Sequence, residues 1–537
     1  MKNHKIIKNN HQIIKNNGTA SGISRRAFGL RTGAALAGTA FGGALIGLGS
    51  SVMAATPKRG GVARIAFPDT SPNDTLDPIA VTSNIDATRC YQLYSNLVRA
   101  GSDQRPEAQL ATSWEANDAT TEWVFTLREG VEFHNGKTFT SADALYSIGR
   151  HLGEDTESRI KAQMSQIAEI SAEGDYRIRV KLKAANAELP IIFASARAGI
   201  VPEGHTDFDN PIGTGPFKVK EFQPGISAYF ERHENYFNAE NVYLDAVETF
   251  AIPDPTARAN ALLSGEVDIA ALVDSRAVDL INASPQAEVV SSRGGQWVYT
   301  AMMADRAPTD NVDFRLAMKY LQDRQRVLDG VYNGYGQIAN DHPIAPSDPM
   351  YCADLPIRPY DPDKAKFHLK KAGMENATVE IYTSTTAGPG GVEQALVLQQ
   401  TAAAGGVTVQ VRQTPPDGYW SHTAEKYPFF GSYWNTRPTA DLTYATVHMT
   451  NSAANESKYV NPHIDELMLQ ARATLDEAAR KAIWCDLQQL ISDEGGNLIP
   501  SFVDYLDGVG SHVQGFEGHP MGGLSDHYTG EGVWLDS

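Results

Sequence analysis

The sequence predicts an α/β fold, from three observations. Segments of strand character alternate in blocks with segments of helical spacing. Residues 379–383, 392–403 and 407–413 read as strand, helix and strand, a unit that implies parallel strands joined by a right-handed crossover. The chain has 537 residues, 42% of them hydrophobic. That is ample for a buried core, and at about 150 residues per domain the length suggests two to four domains.

The first segment reads as an export signal. Residues 1–54 hold seven Lys or Arg and no acid. Ser24-Arg25-Arg26-Ala27-Phe28 precedes a Gly/Ala-rich apolar run, and small residues follow at Ala54 and Ala55. The Arg pair with Phe two residues on resembles the twin-arginine motif, which implies the twin-arginine translocase as an export partner. Cleavage is expected near Ala54 or Ala55, leaving a soluble periplasmic protein. No Cys stands at that junction to carry a lipid. The formal charge of the whole chain is −18 although this segment is basic, so the body is strongly acidic. That argues against nucleic acid or an anionic membrane as the main partner. Cys90, Cys352 and Cys485 are far apart, with no CxxC and no Cys/His cluster. One disulfide at most is possible, and one thiol stays odd.

The remaining elements follow in order. Residues 61–67 alternate apolar and polar as a first strand, and residues 85–98 have helical spacing. A strand over 121–127 leads to a hairpin over 130–139 that turns at Asn135-Gly136. Thr140 opens a helix, with Asp143 placed for a capping box. Gly136-Lys137-Thr138 looks like the end of a phosphate-binding loop. The earlier glycine such a loop needs is Val131 here, so nucleotide binding is not indicated. In residues 211–237, PIGTGPFKVKEFQPGISAYFERHENYF, a tight turn at Gly213, Gly215 and Pro216 precedes two strands. Gln223-Pro224-Gly225 separates them as a hairpin. A helix starts at Asp254-Pro255 and ends at Gly265; an apolar strand spans 294–303. Residues 313–331 read as one amphipathic helix. Asp361-Pro362, Asn461-Pro462 and Thr474 with Glu477 open three more helices, and Gly495-Gly496 breaks the last before a strand over 498–505.

Several of these stretches together resemble family 5 extracytoplasmic solute-binding proteins, the dipeptide, oligopeptide and nickel receptors of ABC importers. GTGPF, the strand pair and Asn235-Tyr236-Phe237 resemble the family signature. FTLREGVEFHNGKTFTSADALYSI is similar to its LR-x-GV-x-FH-x-G segment, Leu76-Asp77-Pro78 to its early LDP, and SGEVDIA to its GE-x-D element. The resemblance implies a bilobal periplasmic-binding-protein fold of the large peptide-receptor class. Residues 55–305, completed by 497–537, would form one lobe, and 306–496 the other. The chain would cross between them near Ala304 and Gly496, with the pocket at the lobe interface. It also implies an inner-membrane permease as partner, a monomer, and a peptide-like or opine-like solute. No cofactor or metal is expected. A nickel-type chelate receptor of the same fold is one rival reading, with His448 and His422 as nearest candidate ligands, and a periplasmic enzyme is the other.

No GxSxG, HExxH or Ser/Lys signature marks an enzyme. His134 and His342 are isolated from any paired acid or nucleophile and read as structural. The binding candidates lie in Ser432–Asp441. Peptide-binding relatives carry Trp, two small residues and then an Asp that takes the peptide amine. Trp434 matches here, but the fourth position is Arg437. Either Arg437 receives a carboxylate, which its planar fork suits, or Asp441 supplies the acid and Arg437 pairs with it. Alternatively Asp441 is a helix N-cap. Trp434 and Tyr433 are candidate ring contacts, and Trp297 and Tyr299 could line the opposite wall.

Overall fold

Two long antiparallel strands, Ala287–Met302 and Asn497–Gly510, tie the structure together. The computed structural model describes residues 56–69, 71–435, 437–526 and 528–536. The expected export signal and its cleavage site lie outside them.

In chain order the main sheet uses β1 (Val62–Phe67), β2 (Phe217–Gln223), β3 (Ser227–Arg232), β4 (Ala246–Ala251) and β5 (Ile269–Ala270). It continues with β6 (Ala287–Met302), β7 (Thr378–Thr383), β8 (Thr408–Gln413), β9 (Phe429–Trp434) and β10 (Asn497–Gly510). Their spatial order is β8-β7-β9-β6-β10-β5-β1-β4-β3-β2. The strand–helix–strand unit forms as read: β7 and β8 are parallel, with Val379 opposite Val409, around the helix Gly391–Ala402. A separate four-stranded antiparallel sheet holds Ala111–Ala116, Glu122–Leu127, Arg177–Leu182 and Ile167–Ala172.

β6 and β10 are longer than the sequence suggested. Beyond their pairing with each other, they reach different parts of the sheet. The C-terminal half of β6 pairs with β9, and the C-terminal end of β10 pairs with β5. Their mutual ladder is interrupted between Ser292 and Gln296, where the register shifts. A bulge of this kind bends and twists the strands locally.

The helices used here are α1 (Asn84–Leu93), α2 (Val312–Leu321), α3 (Pro362–Ala372), α4 (Gly391–Ala402), α5 (Ala440–Val447), α6 (Pro462–Arg472) and α7 (Glu477–Glu494). Two helix readings need correction. The helix expected over 85–98 stops at Leu93, because the Leu93 carbonyl accepts the Gly215 N–H at 2.9 Å and Tyr94 turns extended. The helix expected over 313–331 is two helices. Gln322 is extended, and the Asp323 carboxylate caps a new helix by accepting from Arg326 N–H.

The same contact at Leu93 explains the glycines of the GTGPF turn. A Cβ on Gly213 would lie 2.0 Å from the Leu93 carbonyl oxygen, and one on Gly215 would lie 2.5 Å from that of Gln92. His134 from the FHNG hairpin closes this joint. Its Nε2–H donates to Gly215 O at 3.2 Å and its Nδ1 accepts from Gly213 N–H at 3.3 Å. Burial pushes the His134 pKa down to about 3, so the ring is neutral, as that donor–acceptor pattern requires. His134 is therefore structural, as expected, and the two motif segments meet in space.

Separate hydrophobic cores support the halves. Phe67, Val247 and Ile269 pack under the β1 side, Phe125 and Ile178 under the small sheet, and Phe314, Ile381 and Leu398 under the β7 side. The cysteine question is settled by proximity: Cys352 and Cys485 form a disulfide across 133 residues of sequence, and Cys90 is a buried free thiol. The bond fastens the segment after Met350 to α7, where Gln488 also accepts the Cys352 N–H at 2.9 Å. A loop of that length places the chain-entropy contribution near the top of the usual range, about 5 kcal/mol. Replacing both cysteines by serine is expected to lower unfolding stability by about 2–5 kcal/mol, read as a lower denaturant midpoint, with a steeper slope because the unfolded chain is no longer cross-linked.

Candidate ligand-binding cleft

β6 and β10 also floor a cavity of about 1220 Å³, at the large end for small-molecule sites. Side chains from three regions line it: Tyr91, Arg159 and Arg197 from the N-terminal region, Tyr505 from β10, and Tyr433 and Arg437 at the end of β9 and beyond. The loop that carries Arg437 is tethered to β6 by Gln296, whose Nε2–H donates to Asn435 Oδ1 at 2.6 Å.

Strand alternation decides which candidate residues reach the cavity. Trp434 stands opposite Trp297 in the β6–β9 ladder, and Tyr433 stands opposite Val298. Trp434, Trp297 and Tyr299 share one face, and Tyr433 takes the other. Tyr433 accordingly lines the cavity. Trp297 and Tyr299, at 1% and 2% exposure, lie in the core behind it with Phe430 and Phe502. Tyr299 donates its hydroxyl to the buried Glu456 carboxylate; burial, and then the Glu456 charge, drives the Tyr299 pKa far up. The expectation that Trp297 and Tyr299 form a cavity wall is thus corrected. Trp434 is half-buried, is absent from the cavity lining and packs against that core. Its ring supports Arg437, whose guanidinium carbon lies 5.4 Å from the ring centre.

Asp441 is corrected in both of its expected roles. Thr439, not Asp441, caps α5, accepting from Leu442 N–H at 3.1 Å. Asp441 is buried, and its Oδ1 accepts from Arg472 Nε–H at 2.7 Å. It does not pair with Arg437. It belongs instead to a polar seam between the small-sheet region and α5, α6 and α7. There the Arg472 carbonyl accepts the Ala187 N–H at 2.9 Å, Glu188 lies 3.6 Å from Arg480, and Arg105 pairs with Glu477 at 2.5 Å.

Arg437 has no carboxylate partner among the described residues, and neither do Arg159 and Arg197. Arg197 donates Nε–H to Val81 O at 2.9 Å, which fixes its stem and leaves its other N–H groups unclaimed by acid. Burial, followed by the neighbouring Arg197 charge, lowers the Arg437 pKa; burial also lowers that of Arg197, with Arg159 adding to it. Sequence reading missed Arg159 and Arg197, which stand in no motif. Neither His448 nor His422 lines the cavity. His448 is buried against Asn497, and no cluster of three or more His, Cys, Asp or Glu placed to hold a metal occurs among the described residues.

A two-part α/β frame joined by long shared strands, with a large cleft against that joint, defines a bilobal solute-binding protein. The chain belongs to the bacterial extracellular solute-binding proteins of family 5, whose middle-region model matches residues 105–456. It is 28% identical to the heme-binding protein A of Haemophilus influenzae over 53% of this chain and 57% of that protein. It is 27% identical to a probable peptide ABC transporter periplasmic-binding protein of Sinorhizobium fredii, over 79% of this chain and 87% of the other. Among solved structures it is similar to the periplasmic binding protein DppA of Helicobacter pylori, in complex with the peptide STSA. That likeness has a TM-score of 0.72 at 23% identity and covers 89% of this chain and 99% of that one.

The polar seam makes a pH prediction. Burial, and then the nearby Asp441 charge, raises the Glu188 pKa above its ordinary value of 4.5. The folded form therefore holds a proton the unfolded form has lost, and stability falls as pH rises from the ordinary carboxylate value toward the raised one. Glu188→Gln removes that loss. Its melting temperature is expected to gain on the wild type as pH rises from 5 to 8, measured by differential scanning fluorimetry.

Proposed function

We propose that this protein is the periplasmic receptor of an ABC importer and that it captures a peptide-like or opine-like solute by a carboxylate. The observation that carries this reading is Arg437, on the cavity wall, with no ion-pair partner among the described residues. An arginine fork pairs with carboxylate bidentately. A buried cation without a partner is costly until an anion arrives. The named peptide receptors among the relatives are consistent with such a ligand, since every free peptide ends in a carboxylate.

In this reading residues 55–305 with 497–537 form one lobe and 306–496 the other. The interrupted ladder between Ser292 and Gln296 is the flexing joint, which lies inside β6 and earlier in the chain than Ala304. Tyr433 contacts the solute, and Trp434 acts through Arg437. The protein makes and breaks no bond. It leaves the cytoplasm through the twin-arginine translocase, loses its signal near Ala54 or Ala55, works as a monomer and hands its solute to an inner-membrane permease.

A thermal-shift screen of dipeptides, N-(carboxyalkyl) amino acids, free amino acids and nickel–histidine tests this. A ligand at 100 times its Kd adds ~2.7 kcal/mol to a folded state that alone binds it. With the best hit, Arg437→Met is expected to weaken affinity about 10- to 100-fold, the loss of one charged hydrogen-bonding contact. Unchanged affinity in calorimetry would remove the carboxylate reading.

A further inference from the structure

We infer that Arg197 and Arg437, with Arg159 beside them, form a charge-operated gate: their mutual repulsion holds the empty cleft open, and closure is favoured only around a solute with two negative charges. This rests on the cleft reading above and deepens it by naming the charge of the solute.

The argument starts from which charges on the cavity wall are already engaged. Arg258 spends its N–H groups on the carbonyls of Ile252, Ala271 and Leu272. Arg276 is paired with Asp274 and faces Glu393. Asp507 accepts from the N–H groups of Leu272 and Leu524, and Asp504 accepts from Ser291 with Arg293 nearby. What remains is three arginines: among the described residues no carboxylate acts on Arg197 or Arg437, and the wall's acids without an ion pair, Glu393, Asp504 and Asp507, lie elsewhere on it.

In the lobe reading above they also belong to opposite lobes. Arg159 and Arg197 come from the N-terminal region, and Arg437 comes from the loop after β9. Bringing the sides together therefore presses like charges into a site that is losing water, where their repulsion grows. Arg159 is exposed, so solvent and salt screen it. Arg197 and Arg437 are half-buried and are screened less. One carboxylate would leave one of these two uncompensated in the closed cleft. Two negative charges, one for each arginine, turn the repulsion into attraction. The Trp434 face steadies Arg437 without neutralising it.

Two measurements test the gate on the mature full-length protein. Small-angle scattering of the ligand-free protein reads the opening. Arg197→Met is expected to be more compact than wild type at low salt. Wild type should compact toward it in 0.5 M NaCl, and Arg197→Lys, which keeps the charge, should stay open. Superimposable curves for wild type and Arg197→Met at both salt concentrations would overturn the gate.

Calorimetry with Glu-Glu and Gln-Gln reads the charge requirement, since these dipeptides match in shape and differ in charge. Wild type is expected to prefer Glu-Glu at least tenfold, and Arg197→Met to lose most of that preference. Equal affinities in wild type would overturn the two-charge requirement. The single-carboxylate role of Arg437 would survive that result if Arg437→Met still weakened both peptides. Should neither peptide bind, the scattering comparison decides alone.

Discussion

The structure depends on the ladder between β6 and β10. These strands, 16 and 14 residues long, sit at the middle of the main sheet, paired with each other, with β9 on the far side of β6 and β5 on the far side of β10. Backbone groups of a sheet need partners wherever water is excluded. A single chain crossing would leave a bare edge on each side. Two crossings that bond to each other satisfy most of their own groups and carry the hydrogen-bonded sheet from one half to the other. The shift between Ser292 and Gln296 is where this ladder gives way, and a ladder missing bonds bends there at least cost.

The cleft follows from that joint. Because side chains alternate along a strand, each crossing offers one face to a core and the other to the opening. Tyr505 and Tyr433 fall on the opening, and Trp297 and Tyr299 fall on the core. The charges obey a second constraint. Buried or half-buried ions in a stable protein are paired or bonded, and the seam of Asp441, Arg472, Glu188 and Arg480 follows that rule. Arg437 makes no ion pair among the described residues, and Arg197 is held by the Val81 carbonyl alone, so the cleft keeps cationic N–H groups that the interior elsewhere occupies.

Much of the local structure was legible in the residues. Proline at the first helical turn with Asp or Asn before it located the starts at Pro255, Pro362 and Pro462, since Pro needs no N–H bond there. Gly373 at the end of α3 is left-handed, as its chemistry favours. The break at Gln322 was not legible. Asp323 is a good cap, but the apolar spacing continues past it, so the pattern reads as one helix. The end of α1 at Leu93 was not legible either, because its cause lies about 120 residues away at Gly215.

Of the cleft, the sequence alone determined one residue by motif position, Arg437, and the chemistry that its planar cation can do. It also determined the strand periods from which the facing of Tyr433 and Trp434 follows once a register is known. Register itself, the pairing of Asp441 with Arg472, and the gathering of Arg159 and Arg197 around Arg437 were decided by the tertiary structure. The physical reason is range. Caps, turns and alternation act within a few residues, whereas an ion's partner, or its want of one, depends on segments hundreds of positions apart that only the folded chain brings together.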